Sequence, residues 1–160
     1  MLGIKLICVG KLKEKFYLAA VSEYTKRLGA YCRIEIDELP ETKLPANPSQ
    51  AEIDAGMAKE AAAIESHIPK GAVRVALCIE GKEMDSVELA SAMERYAGSG
   101  ASKICFIIGG SEGMHPSVKQ SADLRLSMSR MTFPHHLARV MLLEQIYRGF
   151  KINEGSAYHK

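Results

Sequence analysis

The sequence predicts an α/β domain with a mostly parallel sheet. Five short apolar runs alternate along the chain with five stretches of helical periodicity, and this order is typical of parallel strands connected by helices. Glycines and prolines that favour turns separate most of these stretches. The chain has 160 residues, of which 47% are hydrophobic. It therefore fits a single domain, residues 1–160, and can bury a sizeable core.

The first half of the chain predicts two strands and two helices. Residues 4–9 form an apolar run that predicts a buried strand, and residues 16–28 repeat apolar side chains every four positions, as an amphipathic helix does. Residues 34–37 alternate between apolar and charged, which is typical of a half-exposed edge strand. A loop with three prolines covers residues 40–48. Capping-box spacing then opens a second helix, whose apolar positions extend over residues 53–68.

The second half predicts three strands and three helices. Residues 73–79 form a strand, and a helix follows over residues 85–97, again with capping-box spacing. Residues 104–108 are the most apolar run, and a short helix separates them from the last strand, residues 124–128. The final helix, residues 134–150, is apolar around most of its circumference. Such a helix is buried on several sides, which suggests a subunit interface.

The net charge and the cysteines bear on the partners of the protein and on its cellular compartment. The formal net charge is +2, which neither indicates nor excludes an RNA partner. The four cysteines form no CxxC pair, so they predict buried thiols in a reducing compartment. We find no signal peptide and no apolar run near the roughly 20 residues that a bilayer requires, and we expect a cytoplasmic protein without a membrane partner. The basic residues cluster early: Lys11, Lys13, Lys15, Lys26 and Arg27.

The loop between the last strand and the final helix is the first candidate for a functional site. Ligands of open α/β sheets bind at the carboxyl ends of strands, and this loop leads into Pro134, a residue suited to the first turn of a helix. Met128, Met131 and Phe133 belong either to the core or to an adaptable wall around a flat apolar group such as adenine. The spacing alone leaves both interpretations open.

A second candidate is the segment Gly109–Gly113, which matches the pattern G-x-S-x-G after a buried strand. One hypothesis makes Ser111 the nucleophile of a serine hydrolase, with Asp123 and His135 following in the order acid, then histidine. The alternative is that the glycines let the backbone approach a ligand closely. No dinucleotide or Walker pattern is present. No histidine or cysteine stands at ligand spacing from His135, so we expect no metal.

Six segments, in their order and spacing, carry a resemblance to a known family. They are Val9–Lys13, Leu77-x-x-x-Gly81, Ile108–Gly113, Ser129–His135, Glu144–Arg148 and Tyr158–His159. The chain resembles the RlmH family, the SPOUT-class methyltransferases that modify a pseudouridine in helix 69 of bacterial 23S rRNA. The resemblance extends over nearly the whole chain.

The resemblance implies a fold, a cofactor and partners. The fold would be a SPOUT-type, Rossmann-like domain with a deep trefoil knot, an exception to the usual absence of threading. The protein would act as a homodimer and use S-adenosylmethionine to methylate N3 of a pseudouridine in large-subunit rRNA on the assembled ribosome. A non-catalytic dimer that binds the ribosome and has kept this fold is a further alternative.

The resemblance also implies site residues. Those expected to bind the cofactor are Leu77, Gly109, Met128, Ser129, Arg130, Met131, Thr132 and Phe133. The candidates for accepting the N3 proton are His135 and, if the tail of one subunit covers the site of the other, Tyr158 and His159. Arg130 and Arg139 could bind phosphate or uracil carbonyl groups, or could be solvated surface charges.

Overall fold

The computed structural model describes residues 1–159, which form one five-stranded sheet covered by helices on both faces. The strands are β1 (Gly3–Val9), β2 (Arg33–Leu39), β3 (Val73–Glu83), β4 (Lys103–Ile108) and β5 (Leu124–Ser127). The helices are α1 (Lys15–Leu28), α2 (Gln50–His67), α3 (Ser86–Gly98), α4 (Pro116–Ser121) and α5 (His135–Asn153). None of these helices is both long and apolar enough to cross a membrane.

The sheet is parallel throughout, with the strand order β2-β1-β4-β3-β5. The predicted α/β class is therefore confirmed, and β2 lies at an edge as its alternating pattern predicted. All seven residues of β1 are buried, because helices cover both faces of the sheet. The threading that would make a trefoil knot does not follow from this strand order and stays a prediction.

Two hydrophobic clusters fill the space between the sheet and its helices. Leu6 and Phe106 point to one face, where they pack with side chains of α1, α3 and α5. Ile7 and Ile107 point to the other face, where they pack with α2 and α4. Successive residues of a strand point to opposite faces, so one continuous apolar run supplies both clusters. Helix α5 packs against both α1 and α3 within the same chain.

The largest difference from the predicted elements is in β3, which continues to Glu83 rather than ending at residue 79. Its pairing with β5 changes register between Leu77 and Lys82, so a bulged segment lies between two paired parts. At Gly81 a Cβ atom would lie 2.7 Å from the carbonyl oxygen of Arg125, closer than a side chain allows. The apolar run ends at residue 79, and the residues that follow it are mostly polar. The sequence therefore did not predict that the strand continues to Glu83.

Candidate functional site

A cavity of about 700 Å³ lies at the carboxyl ends of β3, β4 and β5. Its walls come from the bulged segment of β3, which contributes residues 77–80, and from two loops, which contribute residues 108–114, 127–129 and 131–135. Cavities of this size hold small organic ligands, and sheets of this class bind ligands at this edge. The loop in front of α5, predicted as a functional site, is therefore part of a real cavity.

The residues of that loop differ in how they contribute to the cavity. Met128 lines it and also packs against the main core, so both interpretations of this methionine apply. Met131 lines it and is 72% exposed, so its side chain is accessible from the cavity. The Ser129 hydroxyl accepts a hydrogen bond from the Met131 N–H at 3.0 Å, which holds the turn. Thr132 and Phe133 complete this wall.

Arg130 stands apart from its neighbours in the loop. Its side chain is 88% exposed, and its Nε lies 3.4 Å from a carboxylate oxygen of Glu83. It does not line the cavity. The structure therefore supports an outward role for Arg130 rather than contact with a ligand in the cavity, whereas Leu77 and Gly109 line the cavity as expected.

The glycine-rich loop after β4 forms a turn that side chains would disrupt. A Cβ atom on Gly109 would lie 2.8 Å from the carbonyl oxygen of Gly113. Gly113 has a φ of +92° and donates its N–H to the carbonyl oxygen of Gly110 at 3.0 Å. Only glycine adopts this geometry at low cost. The loop consequently presents backbone polar groups directly to the cavity.

Ser111, the residue of the hydrolase hypothesis, is bonded to a carboxylate rather than to an imidazole. Glu41 accepts hydrogen bonds from the Ser111 hydroxyl and from the Ser111 N–H, the latter at 2.8 Å. Asp123 lies before β5, at the opposite edge of the sheet, and accepts from the Arg74 N–H at 2.8 Å. Within residues 1–159, Ser111, Asp123 and His135 therefore do not form a catalytic triad, and the hydrolase hypothesis is wrong.

Glu41 is a site residue that the sequence did not reveal, since it lies in the proline-rich loop without a motif. Burial alone would raise the pKa of its carboxyl group. The two hydrogen bonds from Ser111 and the nearby His135 and His136 oppose burial, and the net effect is a lowered pKa. Glu41 is therefore a fixed negative charge behind the glycine-rich loop.

His135 is half-buried at the cavity wall, at the start of α5. Burial lowers its pKa, and so do the charges of His136 and Arg139, while Glu41 and Glu14 act in the opposite direction. The net lowering keeps the imidazole neutral at physiological pH, and a neutral imidazole can accept a proton.

Arg139 has a structural role that contradicts its predicted contact with RNA. It is 1% exposed, its Nη1 lies 2.5 Å from a Glu38 carboxylate oxygen, and its Nη2 donates to the Gly10 carbonyl oxygen at 3.0 Å. The same Glu38 carboxylate accepts from the Leu12 N–H at 2.9 Å. Arg139 thus ties α5 to the ends of β1 and β2, and its guanidinium is not accessible to a phosphate.

The C-terminal tail folds back along α5 and joins two of the motifs quoted above. The Tyr158 hydroxyl donates to a Glu144 carboxylate oxygen at 2.8 Å, and its ring packs edge-on against that of Tyr147 with centroids 5.1 Å apart. The Arg148 guanidinium lies 4.7 Å from the Tyr158 ring centroid and 3.2 Å from Nδ1 of His159. The motif around residues 144–148 is therefore the docking surface of the tail.

This docking keeps the tail away from the cavity of its own chain. Glu144 is nine residues along α5 from His135, about 14 Å at the rise of an α-helix. Neither Tyr158 nor His159 lines the cavity. The structure brings His135, but not these two residues, to the cavity of the same subunit.

Within residues 1–159, no group of three or more His, Cys, Asp or Glu side chains is arranged to hold a metal ion. The cavity instead combines apolar walls, exposed backbone groups and one neutral imidazole. The fold and the site together define an α/β protein with a cavity of the size that a nucleoside-like organic ligand needs and an imidazole at its wall.

Comparison with known proteins shows which family the chain belongs to. Residues 2–159 match the family model described as a predicted SPOUT methyltransferase. A protein of Limosilactobacillus reuteri (strain DSM 20016) and one of Bacillus pumilus (strain SAFR-032), each 48% identical over 159 residues, are named ribosomal RNA large subunit methyltransferase H. In both cases the match covers 99% of this chain and 100% of the relative. The chain therefore belongs to the SPOUT methyltransferases and, within them, to the RlmH family that its motifs resemble.

Two solved structures share the fold at low sequence identity. A probable methylase family protein from Haemophilus influenzae Rd KW20 superposes with a TM-score of 0.61 at 10% identity, covering 100% of this chain and 72% of that one. A probable methyltransferase from Bordetella pertussis Tohama I gives 0.60 at 10% identity, covering 93% and 95%. At this identity the two structures support the fold alone, and they agree with the parallel sheet described above.

Proposed function

We propose that this protein transfers a methyl group from S-adenosylmethionine to N3 of a pseudouridine in helix 69 of 23S rRNA, with the assembled ribosome as its substrate. The names of the full-length relatives support an rRNA substrate, and the family supports methyl transfer. The observation that carries the proposal is the cavity at the carboxyl edge of the sheet, whose three walls contain the motifs of the resemblance and whose rim contains His135.

The cavity has the groups that this donor requires. Leu77, Met131 and Phe133 supply apolar surface for an adenine ring. The turn at Gly109 and the loop at residues 128–132 offer backbone N–H and C=O groups for the ring edge and the ribose. Backbone carbonyl oxygens also suit a cationic sulfonium. When bound, S-adenosylmethionine supplies an already activated methyl group.

The contribution of the protein is then alignment and the handling of one proton. Methyl transfer is an in-line displacement, so the acceptor nitrogen, the methyl carbon and the sulfur must be collinear, and such positioning can be worth roughly 7–11 kcal/mol. N3 of a pseudouridine carries a proton at neutral pH. His135, held neutral at the rim of the cavity, accepts that proton.

The tail residues act in a homodimer. Because Tyr158 and His159 do not reach the cavity of their own chain, their role requires a second copy of the chain whose tail lies over the cavity of the first. The broadly apolar α5 and its docked tail provide a surface for that contact. A dimer also presents two copies of every basic residue to the ribosome.

The decisive experiment uses ribosomes from a strain that lacks this gene. We expect mass spectrometry of their 23S rRNA to show one missing methyl group on a pseudouridine of helix 69. The purified protein with S-adenosylmethionine should restore it on intact ribosomes, and restore it poorly on naked rRNA fragments. An unchanged methylation pattern in the deletion strain would contradict the proposal. Calorimetric titration with S-adenosylmethionine separates it from a non-catalytic dimer that has lost the cofactor.

A further inference from the structure

The segment between β1 and the first turn of α1 carries an exposed group of basic and aromatic side chains that the site described above does not use. Lys11, Lys13 and Lys15 are all exposed, and no carboxylate among residues 1–159 pairs with any of them within 4.0 Å. With Glu14 between them, residues 11–15 have three positive charges and one negative charge. Their net charge of +2 equals the formal net charge of the whole chain.

An aromatic side chain lies directly beside these lysines. Phe16 is 66% exposed, although burial of a phenyl ring stabilises a folded protein. Its ring centroid lies 4.3 Å from that of the half-buried Tyr17, so the exposed ring of Phe16 is backed by a second aromatic ring. We call Lys11, Lys13, Lys15 and Phe16 the β1–α1 patch.

The patch is connected to the cavity through a chain of ring contacts. The Tyr17 ring centroid lies 6.1 Å from that of His136. The ring of His136 lies 4.2 Å from that of His135, which lines the cavity. Both the patch and the cavity are at the carboxyl edge of the sheet, because Lys11 follows β1 at that edge. A molecule held on the patch therefore lies beside the position from which methyl transfer would occur.

We infer that the β1–α1 patch binds the RNA backbone and stacks one base of the substrate, so that the neighbouring nucleotide is presented to the cavity. Phosphates attract unpaired lysines, and exposed aromatic rings stack on bases of any sequence. RNA is recognised mainly where bases can leave the helix and stack on aromatic side chains, which matches the combination found here. The inference rests on the proposed function, because it assigns a surface to the same rRNA substrate.

The experiment compares binding of variants to assembled ribosomes purified from a strain without this gene, at several potassium chloride concentrations. The test variant replaces Lys11, Lys13 and Lys15 by alanine. The matched control replaces by alanine Lys26, Lys59 and Lys70, which are also exposed and also without an ion pair among the described residues. Both variants lose three charges, so a difference between them reports position rather than net charge.

For the test variant we expect weaker binding and a flatter dependence on salt. Each lost phosphate contact lowers the slope of log K against log salt by about 0.7–0.9, so the slope should fall by about two to three, while the control keeps nearly the wild-type slope. Phe16→Leu should weaken binding on the order of tenfold without changing the slope, because it removes stacking and no charge. Phe16→Tyr should bind like the wild type. Affinity for S-adenosylmethionine should be unchanged in all of them.

Three outcomes would overturn the inference. One is a control triple variant that loses as much affinity and slope as the test variant. Another is a Phe16→Leu protein that dissociates from dimer to monomer in analytical ultracentrifugation, since the patch would then be a subunit contact. The third is a wild-type protein that does not bind assembled ribosomes. If the wild type binds them but methylates no pseudouridine, the proposed function fails while this inference stands.

Discussion

Glu41 and Ser111 are 70 residues apart in the chain, yet the Glu41 carboxylate accepts hydrogen bonds from both the N–H and the hydroxyl of Ser111. This contact anchors the glycine-rich loop of the cavity to the loop that follows β2. A Cβ atom on Gly110 would lie 3.0 Å from the same carboxylate, so the glycine allows the close approach. The serine that resembled a nucleophile is thus a positioning residue for the wall of the cavity.

Weakening this contact should affect donor binding more than the chemical step. Glu41→Gln keeps the shape and removes the charge, while Ser111→Ala removes only the hydroxyl bond. Since a hydrogen bond to a charged group contributes about 1.5–3 kcal/mol when well shielded, and this one is partly exposed, we expect each variant to raise the Kd for S-adenosylmethionine several-fold. Calorimetry measures this Kd, and kcat at saturating donor should remain near the wild-type value.

The double variant provides the control for that prediction. If Glu41 acts through Ser111, the two changes together should cost clearly less than the sum of the separate costs, because they remove the same interaction. Additive losses would show that Glu41 and Ser111 act on the cavity independently. A Ser111→Ala enzyme that binds S-adenosylmethionine like the wild type but has lost kcat would contradict a positioning role for Ser111.

The lowered pKa of His135 sets an expectation for the dependence of methylation on pH. In the proposed reaction the neutral form accepts the proton, and burial extends that form below the usual histidine pKa of about 6.5. The rate of the chemical step should therefore stay constant from neutral pH down to below 6.5 and fall only at lower pH. Glu41 favours the protonated form of His135, so Glu41→Gln should move this fall to still lower pH.

The variant His135→Gln tests whether His135 accepts the proton. General base catalysis typically contributes about 10²- to 10⁴-fold, so we expect kcat to fall by at least a hundredfold while the Kd for S-adenosylmethionine changes little. Single-turnover methylation of ribosomes across pH 5–8 checks both statements. A variant that keeps wild-type kcat and the wild-type pH profile would exclude His135 as the proton acceptor and leave Tyr158 and His159 as the candidates.

Arg139 should matter for stability rather than for RNA. Arg139→Met leaves the Glu38 carboxylate without its partner. Breaking a buried pair costs about 3–5 kcal/mol, but Glu38 keeps 33% side-chain exposure, so we expect a loss of about 2–4 kcal/mol in the free energy of unfolding. Urea unfolding measures it. The exposed Arg130→Ala is the control and should change stability by no more than about 0.5 kcal/mol.

The pair of Arg139 and Glu38 also predicts how the free energy of unfolding depends on pH. Burial raises the pKa of Glu38, but its hydrogen bonds with Leu12 and Arg139 lower it overall. A lowered folded-state pKa stabilises the protein above the ordinary carboxylate range, and this contribution is lost as the pH falls through the lowered pKa. The difference in stability between wild type and Arg139→Met should therefore shrink on acidification. A difference that stays constant from pH 7 to pH 3 would contradict the assignment.

The sequence predicted those features that depend on residues close together in the chain. It missed those that depend on contacts between residues far apart in the chain. The periodicity of residues 16–28 and the alternation of residues 34–37 are local, and the helix and the edge strand they predicted are confirmed. The loop before α5 was also found, because the carboxyl ends of parallel strands meet at one edge. Burial of Arg139 was not predictable, since it depends on Glu38, 101 residues away. Glu41 was missed for the same reason.

The bulge of β3 leads to a last prediction, about the part of this strand that contains Leu77. Gly81→Ala places a methyl group 2.7 Å from the backbone of Arg125, and this contact can be relieved only if β3 and β5 separate. Overpacking of this kind typically costs about 1–3 kcal/mol, and here the displaced strands also carry two walls of the cavity.

Gly98→Ala meets no atom within 4 Å at the end of α3, so it should leave stability unchanged or raise it slightly. Gly81→Ala should lower both the unfolding midpoint in urea and the affinity for S-adenosylmethionine. A Gly81→Ala protein that matches Gly98→Ala in both measurements would show that the contact between β3 and β5 does not shape the cavity.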